Sequence, residues 1–226
     1  MDLLEAIKQR HSVRKYRNEP IDAARLGILS DAIRECNSLS GLNIQLVKDE
    51  PLAFSTGIFK YGAFSGVKNY IVMAGPHGTE YEQKVGYYGE RLVLLAQTIG
   101  LNTCWVGLTF KLIEDVFTLS EGEKVHCVIA IGFGENSGKQ HPDKPIDKFI
   151  DVQGEVPGWF LSGVEAALLA PTALNQQKWH FTLKEGNKVE ATTVFSLTGR
   201  SYLHIDLGIV KYHFEIGAGK ENFEWV

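Results

Sequence analysis

The sequence predicts a globular protein of the α+β class, and three observations support this prediction. The chain of 226 residues is 44% hydrophobic and 22% charged, a balance typical of soluble proteins and sufficient for a large core. Some stretches place apolar residues at helical spacing, whereas others are short apolar runs bounded by glycine or proline. The predicted helices and strands do not alternate in a sustained βαβ pattern, which indicates the α+β class.

Composition and charge exclude several classes of protein. With a net charge of −4, the chain lacks the basic surface of a dedicated nucleic-acid binder. Cys36, Cys104 and Cys127 lie far apart and form no CxxC or zinc-spaced motif, so we expect buried thiols in a reducing compartment. The acidic amino-terminal residues do not fit a signal peptide, and the apolar runs are too short to cross a membrane. We therefore expect a cytoplasmic protein without a metal site and without a nucleic-acid or membrane partner.

The first half of the chain contains three predicted helices and three predicted strands. Apolar residues at helical spacing predict the helices, and the third ends at Gly100, a residue type common just after a helix. Alternating or continuous apolar residues predict the strands. The helices are expected near residues 3–10, 21–33 and 87–99, the strands at 43–47, 70–74 and 125–131, and a turn at 38–41.

The second half begins after a change in composition. Residues 134–157 are rich in glycine, proline and charge, which predicts a long surface connection. A helix at 159–169 follows, then two strands at 179–183 and 190–195 around a Gly186-Asn187 turn, and a last helix at 203–216.

An internal repeat is a further hypothesis. Residues 40–45 (SGLNIQ) and 172–177 (TALNQQ) both place small residues, leucine and asparagine between a helix and a strand. The main helix of each half also ends in Ile-Gly, at Ile99-Gly100 and Ile216-Gly217. If these are two copies, the second is shorter and has diverged.

The densest polar cluster is residues 10–17 (RHSVRKYR), which follow the first predicted helix. Guanidinium groups bind phosphate through paired hydrogen bonds, and a serine hydroxyl can add another. The same residues would also suit a solvated basic helix end, where cations complement the helix dipole. The cluster alone leaves both interpretations open.

Two later clusters are also candidates. Residues 170–179 (APTALNQQKW) offer a hydroxyl, three amides and an ammonium before a strand, and primary amides suit a heterocycle edge with donors and acceptors. Residues 103–108 (TCWVGL) contain Gly107, which would let backbone N–H groups approach a ligand. An ordinary capped turn and an ordinary loop glycine remain the alternatives.

Other familiar motifs are absent or incomplete. Residues 132–137 (GFGENS) follow a predicted strand, but the sixth position is serine and no helix follows, so a dinucleotide-binding loop is rejected. The predicted last helix separates His204 from Asp206 by about 200°, which favours a surface or core role over a metal site. The adjacent Glu90 and Arg91 are interpreted as a structural ion pair.

Taken together and in this order, the clusters resemble the FMN-dependent nitroreductase family. Residues 10–16 are similar to that family's R-x-S-x-R-x-[FY] phosphate motif, which is the most specific match. Three more stretches resemble its central helix with the loop beneath the isoalloxazine, the strand that closes its sheet, and its basic return to the phosphate: residues 86–105, 128–134 and 144–147. The resemblance covers about the first 150 residues.

One departure from the family pattern is informative. The family carries an A-P-S-x-x-N-x-Q-P-W motif soon after the first one and uses it across a homodimer to hold the partner's flavin. Here residues 38–45 lack the proline and tryptophan, and the better match is residues 170–179. This resembles a divergent branch in which one chain contains both halves of the dimer. It implies a nitroreductase-like fold, internally duplicated, with residues 1–150 giving the phosphate arm and 151–226 the interface loop in one compact, monomeric unit.

The resemblance implies an FMN-dependent oxidoreductase that transfers hydride from NAD(P)H to a nitroaromatic, a quinone or a similar acceptor by a ping-pong mechanism. No catalytic side chain is required, because the flavin carries the chemistry. The implied cofactor-binding residues are Arg10, His11, Ser12, Arg14 and Lys144 at the phosphate or ribityl chain, Lys68 or Arg14 near N1 and O2, Gly107 and Leu108 near N5 and O4, and Pro171, Thr172, Ala173, Asn175 and Gln177 around the ring or ribityl chain. Residues 54–64 and 194–202 are expected to shape the acceptor site.

Two alternatives stay open on the sequence. A flavin-binding protein without turnover, such as a sensor or carrier, could keep the phosphate arm while its nicotinamide cleft is closed. An α+β interaction module without flavin would make the arginine cluster accidental.

Overall fold

The computed structural model describes residues 1–55, 64–142, 144–195 and 202–226 and confirms the predicted α+β class. Its helices are α1 (Leu3–Gln9), α2 (Ala23–Ser40), α3 (Thr79–Thr98), α4 (Gly158–Leu168) and α5 (Leu203–Ala218). Its strands are β1 (Asn43–Val47), β2 (Asn69–Pro76), β3 (Asn102–Val106), β4 (Glu123–Gly132), β5 (Ile150–Val152), β6 (Trp179–Lys184), β7 (Lys188–Thr193) and β8 (Glu224–Trp225). Short 3₁₀ turns lie at Ile146–Lys148, Ala173–Asn175 and Lys220–Asn222.

The described strands form two four-stranded sheets. The first has the order β1-β2-β4-β3 and is antiparallel throughout, so that Leu46, Ile71, Ile129 and Trp105 form one row across it. The second has the order β5-β6-β7-β8, in which β6 and β7 form an antiparallel hairpin and the two outer strands run parallel to their neighbours. β2 is buried along almost its whole length, as its continuous apolar run predicts.

The main hydrophobic core contains residues of both sheets. Ile71 and Ile129 of the first sheet and Phe181 and Val189 of the second belong to one contiguous cluster, together with Phe214 of α5. None of these side chains is more than marginally exposed. The two sheets therefore share a core and are not independently packed.

Three elements differ from the sequence predictions. The predicted turn at 38–41 is the last turn of α2, because Ser40 donates its hydroxyl to the Cys36 carbonyl and Gly41 ends the helix in the left-handed conformation. α3 begins at Thr79, eight residues before the predicted start. The predicted loop at 103–108 is largely β3, which pairs with β4.

The order of elements repeats, although the repeat is not confirmed as a duplication. Helix, strand, strand, helix and strand follow one another as α2-β1-β2-α3-β3 and again as α4-β6-β7-α5-β8. β4 separates β2 from β3 in the first sheet, whereas β7 and β8 pair directly in the second. β5 spans the expected boundary at residue 150 and belongs to the second sheet. The duplication and the boundary stay predictions.

α3 and α5 pack against each other through glycines. A Cβ on Gly86 would overlap the backbone carbonyl of Ile205, and one on Gly208 would overlap the carbonyl of Gln83. Glycine is therefore required at both positions for the two helix backbones to approach this closely. This contact fixes the position of a helix from the second half against the central helix of the first.

A buried carboxylate lies between the helices. Glu90 of α3 is fully buried, accepts a hydrogen bond from Trp105 Nε1 at 2.8 Å, and lies 2.8 Å from His213 Nε2 of α5. The Nδ1 of His213 donates to the Ala166 carbonyl at 3.0 Å. Arg10 Nε lies 3.9 Å from Glu90 Oε1. Glu90 therefore connects α1, α3, β3 and α5, and through His213 also α4.

The predicted Glu90–Arg91 ion pair is wrong. Arg91 pairs with Glu35 of α2 at 2.7 Å, whereas Glu90 faces the opposite way into the core. Adjacent positions on a helix are about 100° apart, so neighbouring charges seldom share a partner.

Replacing Gly86 with alanine should destabilise the protein by more than about 3 kcal/mol, because the added methyl group overlaps backbone that cannot move aside. Gly27→Ala is the matched control, since a Cβ at this α2 position meets no atom within 4 Å and alanine favours a helix interior. Urea unfolding followed by circular dichroism measures both variants. Equal stabilities of the two variants would contradict the packing.

Replacing Glu90 with glutamine should lower the free energy of unfolding by about 3 kcal/mol, because the buried Arg10 loses the charge that faces it. Glu35→Gln is the control, since it breaks an ion pair that is much more exposed, and should cost less than about 1 kcal/mol. Both values come from denaturant unfolding at pH 7. A loss in Glu90→Gln no larger than in the control would contradict the pairing of Arg10 with a buried charge.

Candidate functional site

The amino-terminal arm, residues 10–17, runs as extended chain along the first sheet. Val13 donates its N–H to the Thr103 carbonyl at 3.0 Å, beside the start of β3. Tyr16 is buried and forms a bridge with Gly134, which follows β4. Because Val13 is buried and side chains alternate along extended chain, Ser12 and Arg14 point the other way.

Three polar side chains of the arm affect the pKa of one buried thiol. Burial raises the pKa of Cys104, while the charges of Arg14 and Arg10 and a hydrogen bond from Ser12 oppose the rise. These are the three residues of the R-x-S-x-R pattern, and all three therefore lie near Cys104.

The two arginines differ in exposure. Arg10 is 5% exposed, and its Nη2 donates to the Leu169 carbonyl at 3.3 Å, at the end of α4. Burial lowers the pKa of Arg10, and the nearby Glu90 carboxylate counteracts this effect. Arg14 is exposed. Arg14 is therefore free to meet an anion from solution, whereas Arg10 also ties the arm to the second half.

His11 holds the segment that follows β4. Its Nδ1 donates to the Ser137 carbonyl at 3.1 Å. A Cβ on Gly138 would lie 2.7 Å from the Cβ of His11 and 2.9 Å from the Ser12 carbonyl oxygen, so the two segments are tightly packed. His11 thus positions the connection between the halves beside the arm.

The second cluster forms a loop, residues 170–177, between α4 and β6. Burial raises the pKa of Asp206 on α5 to about 7, and this carboxylate accepts the Ala173 N–H at 2.9 Å. The second Asp206 oxygen accepts Gln176 Nε2 at 3.1 Å. The Thr172 hydroxyl oxygen accepts the Gln177 N–H at 3.1 Å. The loop is thus an ordered structure and more than a helix-ending turn.

Contacts join the loop to the arm and to the connection between them. Lys144 Nζ donates to the Gln176 carbonyl at 3.2 Å. His141 Nδ1 lies 3.3 Å from the Gln177 amide. Together with the Arg10–Leu169 and His11–Ser137 contacts, these bonds surround one region with the arm, residues 137–144 and the 170–177 loop. The two clusters that the sequence analysis predicts as candidates therefore lie in the same region of the molecule.

Several buried polar atoms in this region have no hydrogen-bond partner among the described residues. They are Arg10 Nε, His141 Nε2, Asn175 Oδ1 and Gln177 Oε1. The Gln177 amide keeps one unpaired end whichever way it is turned, because only its other end faces His141. Buried groups of this kind are normally satisfied, so they fit a ligand rich in donors and acceptors. Flavin mononucleotide, with its ring edge, ribityl hydroxyls and phosphate, is such a ligand.

The other residues expected to contact the flavin are Gly107, Leu108 and Lys68. Gly107 follows β3, four residues after Thr103 or about 13 Å along a strand, and its carbonyl accepts the Tyr202 hydroxyl at 2.8 Å. Leu108 is 77% exposed. Lys68 is half-buried, and its Nζ donates to Asn18 at 2.6 Å, beyond the arm. No hydrogen bond of the described residues brings Lys68 to the 170–177 loop.

Some site residues were missed by the sequence analysis. Asp206, His141, Tyr202 and Glu90 all hold parts of the site, and each is distant in sequence from the group it contacts. Asp206 is a carboxylate within an otherwise apolar predicted helix, and the sequence analysis considers it only as a metal ligand. The segments 54–64 and 194–202, which were expected to shape the acceptor site, lie largely outside the described residues.

Other classes of site are not indicated by the described part of the chain. It contains no group of three or more histidine, cysteine, aspartate or glutamate side chains placed to hold a metal ion. None of its helices is long and apolar enough to cross a membrane. All three cysteines are free and buried.

Comparisons with known proteins agree with the fold. A family model described as "Putative TM nitroreductase" matches residues 2–218. A candidate nitroreductase from Thermotoga maritima is similar in structure over 99% of this chain and 87% of its own, with a TM-score of 0.65 and 21% identity. No protein of curated function matches the sequence.

Two further structures match a smaller share of the chain. A Parabacteroides distasonis protein, described as a candidate NADH dehydrogenase or NAD(P)H nitroreductase, has a TM-score of 0.52 and 18% identity over 65% of this chain and 95% of its own. The NfrA1 nitroreductase from B. subtilis has a TM-score of 0.50 and 15% identity over 65% of this chain and 72% of its own. At these identities, the likeness concerns the fold.

The family match spans nearly the whole chain, and the structural match to the Thermotoga protein has the same extent. The resemblance that the arginine-rich arm indicated is therefore confirmed, and this protein belongs to the family described as TM nitroreductases, a family of oxidoreductases.

Proposed function

We propose that this protein is an FMN-dependent oxidoreductase that binds one flavin per chain between the arm and the 170–177 loop. The observation that carries the proposal is a loop whose buried Asn175 and Gln177 oxygens have no hydrogen-bond partner among the described residues, and which is joined by hydrogen bonds to Lys144 and His141. Arg10, at the start of the arm, donates to the Leu169 carbonyl just before this loop. Anionic and neutral hydrogen-bonding groups of one ligand would satisfy both sides.

The phosphate is assigned to the arm. Ser12 and Arg14 would donate to the phosphate oxygens, and the partly neutralised Arg10 would contribute mainly by fixing the arm. Partial burial and the neighbouring Lys178 and Lys148 lower the pKa of Lys144. An anion near Lys144 would relieve this repulsion, which supports Lys144 as a secondary phosphate contact.

The ring and ribityl chain are assigned to the loop and to the end of β3. Asn175 and Gln177 supply amide groups, and the loop's remaining candidates, Pro171, Thr172 and Ala173, supply small surfaces for packing. Gly107 and Leu108 would offer backbone N–H groups to the ring edge. Lys68 is a weaker assignment, because it already donates to Asn18.

When bound, FMN supplies the hydride chemistry, taking a hydride from NAD(P)H and passing it to a nitroaromatic, quinone or similar acceptor in a ping-pong cycle. The chain's own residues would bind, orient and balance charge. A cation or amide near N1 and O2 stabilises the negative charge that reduction creates there, a role that suits an amide group of the 170–177 loop. No side chain is required as a proton donor.

The arrangement supports a monomer with an internal copy of the family dimer. The arm comes from residues 1–150 and the loop from residues 151–226, so both walls of the site belong to one chain. The three buried free thiols support a location in the reducing cytoplasm.

Arg14→Ala should raise the Kd for FMN by about 10- to 100-fold, because a charge-assisted contact with the phosphate is lost. Its affinity for riboflavin, which has no phosphate, should stay within about twofold of the wild type. Fluorescence quenching of each flavin measures both constants. Arg34→Ala is the control, since Arg34 is exposed on α2 and pairs only with Asp31 among the described residues.

Two results would contradict the phosphate assignment. One is an Arg14→Ala variant with unchanged FMN affinity, and the other is an equal loss of FMN and riboflavin binding. A wild-type protein that binds neither flavin would exclude the cofactor itself.

Turnover is tested separately from binding. The flavin-loaded protein should lose its 450 nm band when mixed anaerobically with NADH or NADPH and regain it when a quinone is added. Full bleaching by dithionite without bleaching by either nicotinamide would indicate the alternative, a flavin-binding protein without turnover.

A further inference from the structure

The 170–177 loop has a strained backbone. Leu174, Asn175 and Gln177 have φ angles of 54°, 51° and 49°, in the left-handed region that side-chain-bearing residues seldom adopt. Leu174 is also 79% exposed, so its own burial does not offset the strain. Interactions elsewhere must hold this conformation, since a free loop would relax.

Asp206 supplies such interactions from outside the loop. It is 3% exposed, and its two oxygens accept the Ala173 N–H and the Gln176 side-chain amide, at either end of the strained segment. α5 is itself fixed against α3 by the Gly86 and Gly208 contacts. The carboxylate therefore links the loop to a rigid part of the core.

The same end of α5 also reaches the other wall of the site. Tyr202 directly precedes the first residue of α5, and its hydroxyl donates to the Gly107 carbonyl at 2.8 Å. The start of α5 and the residue before it thus contact both the loop and the end of β3.

We propose that Asp206 is a positioning residue, which holds the 170–177 loop in the conformation that receives the flavin. The proposal rests on the proposed function only for the identity of the ligand. The hydrogen bonds from Asp206 to the loop are present in the protein without flavin and can be measured in that form.

Because Asp206 is titratable, the hydrogen bonds that it accepts from the loop depend on pH. Burial raises the pKa of Asp206 to about 7, while the bonds from Ala173 and Gln176 oppose the rise. When the Asp206 carboxyl is protonated, one of its oxygens carries a hydrogen and acts as a donor. Because Gln176 Nε2 is also a donor, the hydrogen bond between this oxygen and Gln176 is lost. The loop is therefore held by both bonds only above about pH 7. The titratable groups near Asp206 and the loop include Cys127 on β4, Tyr87 on α3, His204 on α5 and Tyr202 just before it, together with Lys144 and His141, which contact Gln176 and Gln177.

The first experiment measures amide hydrogen exchange of Ala173 in the flavin-free protein. In Asp206→Ala, the protection factor of this amide should fall at least tenfold, because its acceptor is gone. Asp206→Asn keeps a carbonyl oxygen for the Ala173 N–H and should lose less. In the wild type, protection should decrease from pH 8 to pH 6, whereas in Asp206→Asn it should not change.

The second experiment measures FMN affinity and the spectrum of the bound flavin. Asp206→Ala should raise the Kd for FMN about tenfold, corresponding to about 1.4 kcal/mol, and alter the visible circular dichroism of the bound ring. Val164→Ala is the control for stability, because Val164 is fully buried on α4 and belongs to the main hydrophobic core. It should lose stability but keep the wild-type Kd and spectrum.

The outcomes separate this proposal from the proposed function. Absence of FMN binding in the wild type would overturn the function, and the exchange of Ala173 would still decide the role of Asp206. Unchanged Ala173 protection in the variants would overturn the positioning role even if FMN binds. If Asp206→Ala does not fold, Asp206→Asn and the pH series decide: wild-type protection that is independent of pH would contradict the proposal.

Discussion

The contact between α3 and α5 at Gly86 and Gly208 is the constraint on which the rest of the structure depends. Because neither position can carry a side chain, the two helix backbones touch in a fixed register. α3 carries Glu90 from the first half of the chain, and α5 carries Asp206 and His213 from the second, with Tyr202 just before its first residue. Their contacts with β3, the arm and the 170–177 loop all follow from this register. A site assembled from distant segments thus depends on one helix pair.

The buried Glu90 network lies near the candidate site, and its charges have lost their hydration. A fully buried carboxylate beside Arg10 and His213 contributes little net stability by itself, because both charges lose their hydration. It does determine where Arg10 lies, and Arg10 connects the arm to the end of α4 through the Leu169 carbonyl. We infer that the network serves to orient the arm, leaving Arg14 as the more accessible cation. Sequence comparison alone would have weighted the two arginines equally.

Local sequence patterns predict most of the fold, but they do not predict contacts between residues that are distant in sequence. Apolar runs such as that of β2 and helix-ending glycines are local signals, so most strands lie within a few residues of their predicted positions, whereas the start of α3 and the end of α2 lie seven or eight residues away. β3 was taken for a loop because its pairing with β4 determines its structure, and five residues show little periodicity. The arm and the loop were found from their polar composition. Asp206 was not assigned to the loop, since no local pattern shows that α5 packs beneath residue 173.

The central claim is that one chain encloses one flavin between its two halves. A crystal structure of the protein with FMN tests this most directly. The account predicts a single flavin per chain, with its phosphate within hydrogen-bonding distance of Ser12 and Arg14 and its ring or ribityl chain against Asn175 of the same chain. A flavin held by the arm of one chain and the loop of another, or one that contacts only a single half, would contradict it.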